Sequence, residues 1–264
     1  MEFVGASQPL SESGLTQCSD LLGVGATEVW TLLAVETQGC GFLPDRRPLI
    51  LFERHIFRKQ TRCAFDDSHP SISSATPGGY LGKAREYDRL QEAAVLNRTA
   101  ALHSASWGIG QMMGFNAHLA GYSSVDAMIE AMLDGEDAQL AAVAWFLRAK
   151  KLHVPLAKHD WSAFARGYNG PAFHKNDYDT RLAACYAAFA TGLLPDIKVR
   201  QAQVLLMFLD MDTGTIDGIA GKRTRSAVSH FRQQHRLASS EVVDDALIAS
   251  LLQQVGQPSL TVDL

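Results

Sequence analysis

The stretch Thr191-Gly192-Leu193-Leu194-Pro195-Asp196 constrains this chain more than any other. Ahead of it, Tyr178 to Phe189 has the apolar spacing of an amphipathic helix, which the glycine and proline then stop. The break divides the chain into two expected units, residues 1–192 and 198–258. At roughly 100–200 residues per domain, 264 residues accommodate a medium unit and a small one. With 47% hydrophobic residues the chain is not a disordered protein, and it can bury a core without disulfide staples.

Charge locates the two units differently. Residues 197–264 hold seven Lys/Arg and seven Asp/Glu, so the net charge of −4 belongs to the first unit. An acidic balance argues against nucleic acid as a partner. No apolar run is long enough to span a membrane, and Met1 to Gly5 lack a basic, apolar leader. Stable membrane insertion is therefore not expected, and synthesis in a reducing cytoplasm is. Cys18, Cys40, Cys63 and Cys185 form no C-x-x-C pair and are expected to be buried free thiols.

The first unit reads as mainly α. Residues 26–36 form a dense apolar helix with a Thr cap and an acidic first turn, ended by Gly39 and Gly41. Helical patterns return at 84–101, 124–150 and 178–190. Pro48 to Glu53 suits a short buried strand, and the Ser-, Pro- and Gly-rich residues 66–82 a loop. Thr76 to Ala84 resembles a phosphate loop only superficially, because its first glycine is misplaced and Ala84 stands where Ser or Thr would hold magnesium. No metal or organic cofactor is expected.

Two carboxylates stand out. Glu36 ends an apolar helix, where burial and the negative end of the helix dipole both disfavour its charged form. A carboxyl kept protonated near neutral pH is what a general acid requires. A solvated Glu in a last helical turn is the plainer alternative. Glu53 closes Leu49-Ile50-Leu51-Phe52, so a charge sits in a hydrophobic stretch and needs a partner or a function. An ion pair with Arg46, Arg47 or Arg54 is the structural alternative. Two carboxyls in different environments meet the requirement of glycoside hydrolysis.

Two further segments have the make-up of a polysaccharide cleft. Ser104 to Asn116 combines glycines, the aromatics Trp107 and Phe115 for sugar stacking, and the amides Gln111 and Asn116 for hydroxyl or acetamido groups. Phe164 to Pro171 reads as a turn carrying the pair Tyr168-Asn169. Each segment alone is equally a tight structural turn.

In order along the chain, Leu33-Ala34-Val35-Glu36, Arg47-Pro48-Leu49-Ile50-Leu51-Phe52-Glu53-Arg54-His55, Ser106 to Asn116, Tyr168-Asn169-Gly170 and Tyr178-Asp179-Thr180-Arg181-Leu182 resemble the N-acetylmuramidase domain of phage endolysins, within the lysozyme superfamily. The resemblance implies a lysozyme-like, α-rich catalytic domain with a small β-like insert. It implies Glu36 as catalytic acid, Glu53 as second carboxylate, and Ser106, Trp107, Gln111, Phe115, Asn116, Tyr168 and Asn169 along the substrate. The reaction implied is hydrolysis of the β-1,4 bond between N-acetylmuramic acid and N-acetylglucosamine. The middle motifs are also similar to lytic transglycosylases, so 1,6-anhydro products remain open, as does a non-catalytic wall-binding virion protein.

Val199 to Leu206, the turn Asp217-Gly218-Ile219-Ala220-Gly221, Thr224 capping a second helix with Ala227-Val228-Ser229-His230-Phe231, and a third helix from Asp244 to Leu252 resemble a three-helix peptidoglycan-binding domain. Lys222, Arg223, Arg225, Arg232 and Arg236 are either a wall-facing patch or a solvated face. The resemblance implies bacterial peptidoglycan as partner, a monomer, and host cytoplasm as the place of synthesis. Action in the periplasm or wall would then follow release through a separate holin. A chain ending near residue 195 is expected to cleave but to bind the wall less.

Overall fold

The computed structural model describes residues 3–36, 39–171 and 173–256; the side chains of Glu36 and Lys175 lie outside the described set, as do residues 257–258 at the end of the expected second unit. The first helix, α1 (Glu12–Leu22), starts where the Ser11 side chain accepts the Gly14 N–H and stops at Gly23 in the left-handed region. Helix α2 (Ala26–Glu36) follows. Its first turn is secured by Glu28, which accepts the Gly25 N–H at 3.0 Å, rather than by the expected threonine.

The β-like insert is a small antiparallel sheet ordered β1 (Ile50–Phe52), β2 (Ala105–Trp107), β3 (Met112–Met113). Ile50 lies opposite Trp107, and Trp107 opposite Met112. Between β1 and β2 come α3 (Arg54–Gln60), the irregular residues 61–82 and α4 (Glu86–His103). Helix α4 is not continuous: Asn97 adopts an extended conformation, and its side chain caps the second piece at Ala100.

The helical pattern at 124–150 resolves into α5 (Val125–Asp134) and α6 (Glu136–Ala149). Gly135 between them is fully extended and bridges Gln8, whose carbonyl accepts the Glu136 N–H at 3.0 Å. A pairing with the distant amino-terminal segment breaks the helix, which no local pattern reveals. After α7 (His153–Ala157), the expected turn at Tyr168-Asn169 proves to be the last turn of α8 (Trp161–Asn169), stopped by Gly170 at φ 84°. Helix α9 (Tyr178–Thr191) ends the unit.

Two apolar cores fill this unit. One gathers β1, β2, α4 and α5 around Phe52, Phe57, Leu90, Trp107 and Met128. The other gathers α1, α2, α6, α8 and α9 around Leu22, Val29, Leu33, Leu147 and Phe164. Phe146 packs against both. This is the lysozyme-like, mainly α arrangement, with two lobes and a seam between them.

The second unit is three helices, α10 (Ile197–Phe208), α11 (Lys222–Gln234) and α12 (Asp245–Gly256), around Leu205, Val228, Phe231 and Leu251. Asp196 caps α10 through the N–H groups of Lys198 and Val199. Thr224 does not cap α11, which begins at Lys222; it is buried in the first turn and donates to the Thr213 carbonyl at 2.9 Å. The organiser of the turn is Gln203, whose side-chain oxygen accepts the N–H groups of Asp217 and Gly218.

The two units are docked. Cys40 and Phe42 of the first form a buried cluster with Val204 of the second. Arg200 inserts both outer guanidinium nitrogens against the Glu136 carboxylate at 2.6 and 2.8 Å and donates to the Gly39 carbonyl at 2.7 Å. Of the four free cysteines, Cys18 and Cys40 are buried as expected, but Cys185 is half-buried and Cys63 exposed on a loop.

Candidate active site

A cleft of about 550 Å³ runs along the seam. Its walls include Val35, Leu51, Glu53, Ser106, Gln111 and Asn116. Phe146, Tyr168, Asn169 and Arg181 also line it. Each of the five stretches of sequence thus contributes residues to one surface. The carboxyl-terminal end of α2 reaches it, since Val35 lines the cleft and its carbonyl lies 3.4 Å from an Arg181 guanidinium nitrogen. Glu36 is the next residue, and its side chain lies outside the described residues.

Glu53 follows β1 directly and caps α3 by position without bonding to it through its side chain. None of the three expected arginines pairs with it. Arg46 donates to the carbonyls of Gly5, Ala6 and Val255. Arg47 is bound to Asp45 and stacked over Tyr87, while Arg54 donates to Thr76 and Pro77 carbonyls. Instead the Tyr80 hydroxyl donates to Glu53 Oε1 at 2.8 Å, and His55 Nδ1 stands 3.1 Å from Oε2, an ion pair whenever that imidazole is protonated. Burial and the nearby Glu53 carboxylate push the Tyr80 phenol up to about 12, so it remains a donor through neutral pH.

Ser106 and Gln111 line the cleft but also hold it together. The Gln111 amide nitrogen donates to Leu49 and Gly108 carbonyls at 3.2 and 2.9 Å, and its oxygen accepts the Ser106 hydroxyl at 2.9 Å. Gln111 itself sits in the left-handed region at φ 47°. It braces the β2–β3 hairpin with most of its hydrogen-bonding capacity. Asn116 makes no side-chain hydrogen bond among the described residues and keeps its amide for the cleft. The Tyr168 hydroxyl donates to the Gly110 carbonyl at 3.2 Å, and its ring stacks on Phe164.

Trp107 requires a correction. It is 0% exposed, does not line the cleft, and its indole N–H donates to the Leu102 carbonyl at 3.2 Å. Facing inward from the middle of the sheet, it is a core side chain and offers no sugar platform. Phe115, by contrast, is 44% exposed, between the cleft residues Met113 and Asn116, although it does not itself line the cavity.

Residues 25–190 match the model of the N-acetylmuramidase family, and residues 196–251 match that of a peptidoglycan binding domain. The chain belongs to the N-acetylmuramidase family. It is a glycoside hydrolase acting on peptidoglycan. Among solved structures it is similar to the crystal structure of the Burkholderia AP3 phage endolysin, at 37% identity and a TM-score of 0.66, over 69% of this chain and 71% of that one. No curated protein matches it.

Three parts of this muramidase's site escaped sequence reading. Tyr80 and His55 are the groups facing Glu53, and Glu86 organises the surroundings. The Glu86 carboxylate, fully buried in α4, accepts the N–H groups of Phe52, Leu81 and Gly82 and pairs with Arg89 at 3.0 Å. Burial alone would push that carboxyl up, but those N–H groups and the guanidinium outweigh it and hold it below the ordinary carboxylate range. The only sequence signal was an acidic residue at the start of a helix pattern.

The basic face of α11 in this muramidase is largely neutralised. Arg223 pairs with Asp212, Arg225 with Glu241 at 3.4 Å, and the buried Arg232 with Asp244 at 2.7 Å. Three of the five cations therefore have carboxylate partners, and net attraction to an anionic surface does not follow from their number.

Proposed function

We propose that the chain is an endolysin that hydrolyses the β-1,4 bond between N-acetylmuramic acid and N-acetylglucosamine, with Glu36 as general acid and Glu53 as second carboxylate. The observation that carries this reading is the cleft, which brings the end of α2 and the carboxylate of Glu53 to one surface between two lobes. Glu36 stands at the end of α2, and the role proposed for it is to hold a proton until the glycosidic oxygen needs it. Glu53 accepts a hydrogen bond from a phenol, which orders a carboxylate suited to stabilising positive charge at the sugar or activating water. The wall-binding helices would hold the enzyme on its polymer; synthesis in a host cytoplasm and release through a separate holin are part of the same proposal.

Digestion of purified Gram-negative sacculi, followed by mass spectrometry of the fragments, tests the reaction. Reducing N-acetylmuramic acid ends are the expected product; 1,6-anhydro ends would make the enzyme a transglycosylase. Glu36→Gln should abolish release of both, and full activity in that variant removes Glu36 as the acid.

A further inference from the structure

The glycine-rich stretch set aside as a poor phosphate loop has a different use. Gly78 and Gly79 adopt φ of 90° and 75°, values that side-chain-bearing residues rarely take, and they turn the chain back toward β1. The returning loop is fastened on both sides of Tyr80. Arg54, the residue after Glu53, donates to the carbonyls of Thr76 and Pro77 at 2.7 and 3.2 Å. Glu86 takes the N–H groups of Leu81 and Gly82, and with its other oxygen the N–H of Phe52, the residue before Glu53. Arg89 completes the frame by donating to the Phe52 carbonyl at 2.8 Å. The chain neighbours of Glu53 are therefore tied to the chain neighbours of Tyr80, and the two side chains meet at 2.8 Å.

We propose that Tyr80 is a positioning residue for this muramidase: its hydroxyl fixes the orientation of Glu53, and Glu86 and Arg54 hold the loop that delivers it. The inference rests on reading Glu53 as the second carboxylate. With Oε1 held by a neutral donor and Oε2 3.1 Å from His55, the carboxylate is ordered in advance, which removes reorganisation at the moment of bond cleavage. The other charged groups around Glu53 are His55 from α3, the mutually neutralising Glu86 and Arg89 from α4, and Arg181 from α9 lining the same cleft.

The test is a double-mutant cycle on the full chain, with soluble peptidoglycan glycan oligomers as substrate. Tyr80→Phe keeps the ring and removes only the donor; Tyr80 is 46% exposed, so the fold should persist, and the melting temperature checks this. Losing a hydrogen bond to a charged group should lower kcat about tenfold or more with KM nearly unchanged. In a Glu53→Gln background, Tyr80→Phe should have no further effect on residual activity. A wild-type kcat in Tyr80→Phe would overturn the proposal, as would an equal loss in both backgrounds. If instead Glu53→Gln is itself fully active, the role of Glu53 fails first, and that result is distinguishable from silence of Tyr80→Phe beside an inactive Glu53→Gln.

Discussion

Arg200 and Glu136 meet across the boundary between the two units, with both side chains almost wholly removed from solvent. The carboxylate also accepts the N–H groups of Leu10 and Gly41 at 2.8 Å each, so one buried group ties together the amino-terminal segment, the turn after α2, α6 and the first wall-binding helix. Desolvating two ions is expensive, and the pair is tolerable because its remaining hydrogen-bonding capacity is met.

Removing one member leaves the other as an uncompensated buried charge. Arg200→Met should therefore cost about 3–5 kcal/mol, a fall in melting temperature on the order of 10 °C. Differential scanning calorimetry measures this directly, and an unchanged melting temperature would show that the pair carries no net stability.

Docking also revises the expectation for a shortened chain. Ending near residue 195 removes Arg200 from Glu136 and Val204 from Cys40 and Phe42. Such a protein should lose thermal stability and turnover on soluble oligomers as well as wall binding. Pelleting with sacculi alongside kinetics on oligomers separates the two losses; full turnover in the shortened chain would show that the interface is dispensable for catalysis.

Acid should loosen the molecule at two buried carboxylates. For Glu136, burial pushes the carboxyl up, but Arg200 and the N–H groups of Gly41 and Leu10 outweigh it and hold the group below its ordinary range. Glu86 behaves alike. A carboxyl whose folded value is depressed contributes stability above the unfolded value, near 4.3, and that contribution is lost as pH falls through the folded value. Thermal melts should therefore be flat between about pH 5 and 7 in this respect and drop below about pH 4. Glu136→Gln, although less stable throughout, should show a shallower drop.

Trp107 and Gln111 should behave as structural residues despite their place in a ligand-like motif. Trp107→Ala empties a fully buried site and should cost about 3–5 kcal/mol. Gln111→Leu removes three hydrogen bonds from the hairpin and should cost roughly 1–3 kcal/mol. In both, loss of stability should outrun any change in KM measured well below the melting temperature. A raised KM without destabilisation would return either residue to the substrate.

What sequence could and could not convey follows from range. Glu53 stood out because a carboxylate at the end of Leu49-Ile50-Leu51-Phe52 conflicts with its own neighbours, and that conflict is local. The helix stop at Gly192 and Pro195, the short strand and the loop at 66–82 are local too. The hydroxyl that holds Glu53 Oε1 is 27 residues away on a loop with no periodicity, so Tyr80 carried no signal. Nor could pattern alone separate an inward-facing Trp107 from an outward one, because the sheet's pleat, set by pairing with Ile50 and Met112, decides it. The break at Gly135 and the pairing of Glu136 with Arg200 depend on segments that meet only once the chain has folded.

The arginine–glutamate tie has a temporal side. Glu136 is separated from Leu10 by 126 residues and from Arg200 by 64. Contacts of such separation close late, after the entropy of long loops has been overcome. A chain leaving the ribosome amino terminus first exposes α6 well before α10 exists, so Glu136 spends that interval unable to be both buried and charged. The catalytic lobes settle around it once the guanidinium arrives, so translation of the first wall-binding helix becomes a step in assembling the hydrolase.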